Sequence, residues 1–205
     1  MALFDGRTLR AKYFGESQLI VESRSFSETT QYRTGKQRAL KALEEISRGF
    51  STAKKYDVFL AHSKRDEVTI YQLYLELLSR GYRPYVDWIN DPLLDRTKVS
   101  PATANVLRER IRACDTLLMA YSSNSVQSFW VQWELGYGDG AKGGRVAILP
   151  IEEAGAQANF HRQEYLGLYP HVDIVDVSLY VNGTANKSKS FANWLTTTNP
   201  RELIT

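Results

Sequence analysis

The sequence has few of the features that mark secreted or membrane proteins. Its 205 residues include a single cysteine, Cys114, so no disulfide can form within the chain. No apolar run approaches the ~20 residues that a membrane-spanning helix needs, and the N-terminus has no apolar segment typical of a signal peptide. We therefore expect a cytoplasmic protein that does not contact a membrane.

Residues that hold metals or phosphates are equally scarce. The three histidines, His62, His161 and His171, lie far apart, and with one cysteine they offer no metal-ligand spacing. The glycines in 138–143 match G-x-G-x-x-G, but a dinucleotide site needs that motif after a strand and before a helix. Here the order is reversed. We interpret the glycines as a helix C-cap and turn, and we predict no metal and no resident cofactor.

Charge divides the chain into two parts. Residues 1–55 hold 11 lysines and arginines against 6 acidic residues, whereas residues 56–205 hold 15 against 17. We predict an N-terminal extension, 1–54, with one helix at about 36–49, followed by a main domain, 55–205. The basic residues of the extension are scattered rather than clustered, so we do not expect nucleic-acid binding.

The main domain alternates apolar runs with helical patterns, which is typical of a parallel α/β sheet. The predicted strands are Tyr56–Ala61, Tyr82–Trp88, Asp115–Tyr121, Arg145–Ile151 and His171–Val177. This number of units predicts a flavodoxin-like, five-stranded parallel sheet with helices on both faces. In such sheets ligands bind beyond the carboxyl ends of the strands. Residues predicted at that edge are His62, Ser63, Asp87, Trp88, Ser122 and the start of the helix that carries Glu134.

Glu134 has an unusual place in its predicted helix. At 3.6 residues per turn it shares one stripe with Trp130, Trp133 and Tyr137, on the face that a helix normally buries. An ionised carboxylate is costly to bury without a partner. Either Glu134 reaches solvent or pairs with an arginine at an edge, or it is a catalytic carboxylate on the floor of a cleft.

The other candidate residues have structural alternatives as well. His62 and Ser63 either cap the start of a helix or contact a ligand, because loops at this edge often carry function. Asp87 and Trp88 either end a strand or line a pocket. Trp130 is either a core residue or a surface on which a flat ring stacks.

Four stretches in order resemble the TIR (Toll/interleukin-1 receptor) domain family. The family's first strand and box 1 resemble YDVFLAHSKRD, and its second strand and BB loop resemble YRPYVDW with the connector that follows. Its third strand and next helix, with the W-x-x-x-E signature, resemble CDTLLMAYSSNSVQSFWVQWEL. RVAILPI resembles the fourth strand. The resemblance covers Lys55–Val177 and implies a TIR domain of the prokaryotic, NAD⁺-cleaving type.

The resemblance also implies chemistry and partners. Many TIR domains cleave the nicotinamide–ribose bond of NAD⁺ with one glutamate, which here is Glu134. NAD⁺ would be the substrate, with His62, Ser63, Asp87, Trp88, Ser122 and Trp130 as substrate-binding candidates. The products would be nicotinamide and either ADP-ribose or a cyclic isomer. The family further implies self-association, a separate effector or sensor protein, and a role in anti-phage defence.

One carboxylate is enough for this reaction. Ordinary glycosidases use a second carboxyl group to protonate a poor leaving group, but nicotinamide leaves from a ring that is already positively charged. Two other functions remain open. The chain could be a non-catalytic TIR interaction module, or it could be an enzyme resembling nucleoside deoxyribosyltransferases, which also use a carboxylate at a glycosidic bond.

Overall fold

The computed structural model of the chain describes residues 56–91, 94, 96, 99–151, 165–175, 178–184 and 186–204. The predicted N-terminal extension and its helix at about 36–49 lie outside these residues. The boundary between extension and main domain therefore stays a prediction.

Strands and helices alternate along the described chain. The strands are β1 (Tyr56–Ala61), β2 (Pro84–Tyr85), β3 (Cys114–Tyr121), β4 (Val146–Pro150), β5 (His171–Val175), β6 (Ser178–Asn182) and β7 (Ser188–Ser190). The helices are α1 (Glu67–Ser79), α2 (Asp87–Asn90), α3 (Pro101–Ala113), α4 (Phe129–Lys142) and α5 (Phe191–Thr196). None of the helices in this part of the chain has the length and apolar character needed to cross a bilayer.

All seven strands form one sheet, in the order β2-β1-β3-β4-β5-β6-β7. The first five strands of that order pair in parallel, and β6 and β7 pair antiparallel beyond β5. The predicted α/β fold of flavodoxin-like type is confirmed, with its five parallel strands. The sequence prediction omitted the two antiparallel strands, β6 and β7.

The core lies on both faces of the sheet because side chains alternate along each strand. One face carries Val58, Leu60, Leu118 and Leu149 against α1 and α5. The other face carries a matching set against α3 and α4, made up of Phe59, Ala61, Leu117, Met119, Val146 and Ile148. Strands β1, β3 and β4 are therefore buried on both sides, which is why each reads as a continuous apolar run.

One strand prediction differs markedly from the structure. The strand predicted over Tyr82–Trp88 is only Pro84–Tyr85 long, and Trp88 belongs to α2. This segment pairs with β1 alone at the sheet edge, and a side-chain oxygen of Asp87 accepts a hydrogen bond from the backbone N–H of Trp88 at 2.8 Å. Asp87 is the first residue of α2, and a carboxylate in the first turn favours a helix start because the N-terminus of a helix carries partial positive charge.

Glycine positions in α4 correct a second prediction. Gly138 and Gly140 lie inside the helix, and only Gly143 forms the C-cap, with φ of 59°. Gly138 is buried against β3, and a Cβ built there would lie 2.6 Å from Cδ1 of Leu117. Gly140 is exposed, and a Cβ there would meet nothing within 4 Å. Close packing of helix on sheet thus requires the first glycine and not the second.

Alanine substitutions at these two glycines should have opposite effects. Gly138→Ala should lower the free energy of unfolding by about 1–3 kcal/mol, because an overpacked core must shift to accept the methyl group. Gly140→Ala should raise it by up to about 1 kcal/mol, because alanine is the better helix former. Urea unfolding of both variants measures the two changes in unfolding free energy, and equal changes at the two positions would contradict the packing described above.

Candidate active site

Glu134 lies in the second turn of α4 and its side chain is fully buried. Oε1 accepts a hydrogen bond from the guanidinium of Arg96 at 2.7 Å, and Oε2 has no hydrogen-bond partner among the described residues. Burial raises the pKa of Glu134 to about 7, although the charge of Arg96 opposes the rise. A carboxyl group with one oxygen unused, and with a pKa near neutrality, is suited to act on a ligand.

Arg96 bridges two carboxylates. Its second terminal nitrogen donates to Oδ2 of Asp87 at 3.0 Å, so one guanidinium joins Asp87 to Glu134. The indole N–H of Trp130 donates to the backbone carbonyl of Arg96 at 3.1 Å, and the guanidinium lies 6.0 Å from the centre of the Trp130 ring. Sequence reasoning missed Arg96. The signal that could have found it is that a buried glutamate needs a cation, and the connector after β2 supplies one.

His62 lies beside Asp87, and both of its ring nitrogens form hydrogen bonds. Nδ1 donates to the backbone carbonyl of Leu60 at 2.8 Å, and Nε2 accepts from the indole N–H of Trp88 at 2.9 Å. Nε2 also lies 3.5 Å from Oδ1 of Asp87. Burial lowers the pKa of His62 below its ordinary value. These bonds define one neutral tautomer, in which His62 positions Trp88 rather than transferring a proton.

Ser63 and Ser122 belong to a second hydrogen-bonded group, built around Asp66. Oγ of Ser122 donates to Asp66 at 2.5 Å, and the side-chain amide of Asn124 donates to the other carboxylate oxygen at 2.7 Å. Ser63 accepts from the backbone N–H of Arg65 at 3.3 Å, which is a local capping bond. This group ties the carboxyl end of β3 to the start of α1.

The structure thus divides the sequence-predicted residues into two sets. His62, Asp87, Trp88, Trp130 and Glu134 are joined through Arg96 into a connected group, which we call the Arg96 group. Ser63 and Ser122 lie in the Asp66 group. The Arg96 group therefore brings two carboxyl groups and one guanidinium together at this edge of the sheet. No cluster of three or more His, Cys, Asp or Glu side chains in the described part of the chain could hold a metal ion.

Comparison with known proteins identifies the family. The family model described as the TIR domain matches residues 58–179, which include both side-chain groups. The chain belongs to the TIR domain family. Recognition of a TIR domain from its motifs is therefore confirmed, and the Arg96 group occupies the carboxyl edge of a TIR sheet.

Two bacterial TIR relatives carry related names. A probable 3′ cyclic ADP-D-ribose synthase of Bacillus cereus is 38% identical over 188 residues, which span 89% of this chain and 97% of the relative. A putative cyclic ADP-D-ribose synthase of Cytobacillus dafuensis is 34% identical over 99 residues, 48% of this chain and 26% of the relative. Because the first alignment is longer than the main domain predicted over 55–205, it extends into the N-terminal segment of this TIR protein.

Proposed function

We propose that the chain cleaves NAD⁺ between nicotinamide and ribose, with Glu134 as the catalytic residue, and releases a cyclic ADP-ribose. The observation that carries the proposal is the buried carboxylate of Glu134, held by Arg96 through one oxygen and without a hydrogen-bond partner at the other among the residues that the structure describes. The names of the two relatives support a cyclic product.

The proposed reaction needs no proton donor. The bond between C1′ of the ribose and the ring nitrogen breaks, and its electron pair neutralises the positive charge of the departing nicotinamide. Positive charge then develops at C1′, where a carboxylate in a site of low dielectric stabilises it strongly. Capture of C1′ by a nucleophile of the same molecule, with loss of a proton, gives the cyclic product, whereas capture by water gives ADP-ribose.

Other members of the Arg96 group have places in the proposal. Oε2 of Glu134 can accept a hydrogen bond from a ribose hydroxyl. The half-buried rings of Trp88 and Trp130 can stack on nicotinamide or adenine. Because Glu134 has no exposed surface, NAD⁺ reaches it only when a neighbouring side chain moves aside. Ser63 and Ser122 would act indirectly, by holding the ends of the strands in place.

The proposal also covers partners and setting. A cyclic nucleotide acts only through a protein that binds it, so we propose a separate effector, and self-association of this chain through TIR–TIR contacts. We further propose a cytoplasmic role in anti-phage defence, with NAD⁺ as substrate rather than as a resident cofactor.

The test is turnover of NAD⁺ by the full chain at high protein concentration, with the products separated and identified by mass. We expect nicotinamide in equal amount to a product that has the mass of ADP-ribose less one water. Linear ADP-ribose alone would make the chain a hydrolase and would contradict the cyclic product. Cleavage of deoxynucleosides without turnover of NAD⁺ would favour the transferase-like alternative. No turnover of either, even when the protein is concentrated, would favour a non-catalytic interaction module.

A further inference from the structure

We propose that Arg96 is a positioning residue for Glu134: its guanidinium favours the carboxylate form of Glu134 over the protonated acid and fixes Oε1, so that Oε2 is the oxygen that meets the substrate. The role of Glu134 in this inference rests on the proposed function. The effect of Arg96 on Glu134 does not, and it can be measured in the free protein.

The geometry requires a planar group with two donors. One terminal nitrogen of Arg96 contacts Glu134 at 2.7 Å and the other contacts Asp87 at 3.0 Å. A lysine would have to reach both carboxylates from a single nitrogen, without the rigid planar fork of a guanidinium. The bond from the Trp130 indole to the carbonyl of Arg96 fixes the backbone from which the side chain extends. The arrangement therefore orients Glu134 as well as neutralising it.

The charges around Glu134 determine the direction in which its pKa should change when Arg96 is lost. The charged groups that act on Glu134 are Arg96, which lowers its pKa, and Asp87, which raises it; His62, on the other side of Asp87, is neutral. Without Arg96, Glu134 would face burial and the Asp87 carboxylate with no cation to offset them. An opposite charge at this distance shifts a carboxyl pKa by about 1–3 units. Loss of Arg96 should raise the pKa of Glu134 by an amount in that range.

The kinetic test follows kcat/KM for NAD⁺ against pH, because this ratio reports ionisations of the free enzyme. For wild type we expect activity to rise with pH through a midpoint near the pKa of Glu134, about 7. For Arg96→Gln the midpoint should move up by about 1–3 units, so that activity lost at neutral pH partly returns in alkali. For Arg96→Lys the midpoint should stay near that of wild type, while kcat/KM falls about 10-fold at every pH through misplacement of Oε1.

A matched control is available at the C-terminal end of α1, which lies away from the active site. Arg80 pairs with the buried Glu76 at 2.6 Å, so Arg80→Gln also removes an arginine from a buried glutamate. The helix runs from the active-site edge to the opposite edge of the sheet, a rise of roughly 20 Å over its length. Arg80→Gln should leave the pH midpoint unchanged. A folded Arg96→Gln variant with the wild-type midpoint and uniformly reduced activity would show that Arg96 is only structural, and would overturn the inference.

A second readout does not depend on activity. Carbon-13 NMR of protein labelled at glutamate carboxyls, with the Glu134 signal assigned from Glu134→Gln, gives the pKa of Glu134 directly. If the wild type turns over no NAD⁺ but the Glu134 titration still moves upward in Arg96→Gln, the proposed function fails and the effect of Arg96 stands. If NAD⁺ is cleaved and the titration does not move, this inference fails alone. Should Arg96→Gln not fold, Arg96→Lys decides: wild-type kcat/KM in that variant would overturn the bridging role.

Discussion

Glu134→Gln should reduce kcat for NAD⁺ cleavage by about 10³-fold or more, with the fold unchanged. The amide keeps an oxygen that can accept the hydrogen bond from Arg96, and it leaves no cavity. What it removes is the negative charge that faces C1′ as positive charge develops there. Loss of one preorganised electrostatic contact of this kind costs about 10²–10³ in rate, and here the contact is a full charge. Nicotinamide release, measured by chromatography at saturating NAD⁺, gives the change.

Two further variants make this result specific. Glu76→Gln changes another buried glutamate that is bonded to an arginine, outside the Arg96 group, and should retain wild-type turnover. Glu134→Asp keeps the charge but withdraws it by one methylene group, and a displacement of about 1 Å costs about 10²-fold. We therefore expect Glu134→Asp to be intermediate. Equal turnover by wild type and Glu134→Gln would remove Glu134 from the mechanism.

The sequence predicted the central elements well because their signals are local. Strands β1, β3 and β4 are buried on both faces, so their apolar runs are continuous. The N-cap of α3 has a local signal as well, since Ser100 precedes a proline and accepts a hydrogen bond from the backbone N–H of Thr103 at 3.1 Å. At the sheet edge the signals weaken. Strand β7, with the sequence Ser-Lys-Ser, has no apolar residue and lies at the edge of the sheet, paired with β6.

The candidate site was only partly predictable for a different reason. Helical periodicity placed Glu134 on a buried face, and strand ends placed His62 and Asp87 at one edge. Arg96 lies in a connector without periodicity, and its importance comes from contacts 9 and 38 positions away in the chain. The role of His62 also depended on three-dimensional detail, because only the bonds to Leu60 and Trp88 show that neither ring nitrogen is free.

Glu134→Gln should also make the protein more stable at neutral and alkaline pH. Burial raises the pKa of Glu134 from its ordinary value of 4.5 to about 7, so the folded state prefers the protonated acid. Between these two values the folded protein binds more protons than the unfolded chain, and the free energy of unfolding therefore falls as pH rises. Each pKa unit is worth about 1.4 kcal/mol, so the loss is about 3 kcal/mol by pH 8. Glutamine does not ionise, so the Glu134→Gln variant does not suffer this loss of stability.

The measurement is urea unfolding of wild type and Glu134→Gln from pH 4 to pH 8, with the difference in unfolding free energy plotted against pH. Subtraction removes every other titrating group that the two proteins share. The difference should be small at pH 4, rise between pH 4.5 and 7, and level off at about 3 kcal/mol in favour of the variant. A flat difference would mean that Glu134 titrates alike in the folded and unfolded states, which contradicts its burial.

Repeating the comparison in an Arg96→Gln background connects stability to positioning. Because the charge of Arg96 lowers the pKa of Glu134, its loss should enlarge the stability difference and extend the rise above pH 7. An unchanged curve would mean that Arg96 does not offset the burial of Glu134. An enlarged curve would mean that the folded protein retains a destabilising carboxylate and a dedicated arginine to keep it charged. Such a cost in stability is expected where a buried group is kept for chemistry rather than for packing.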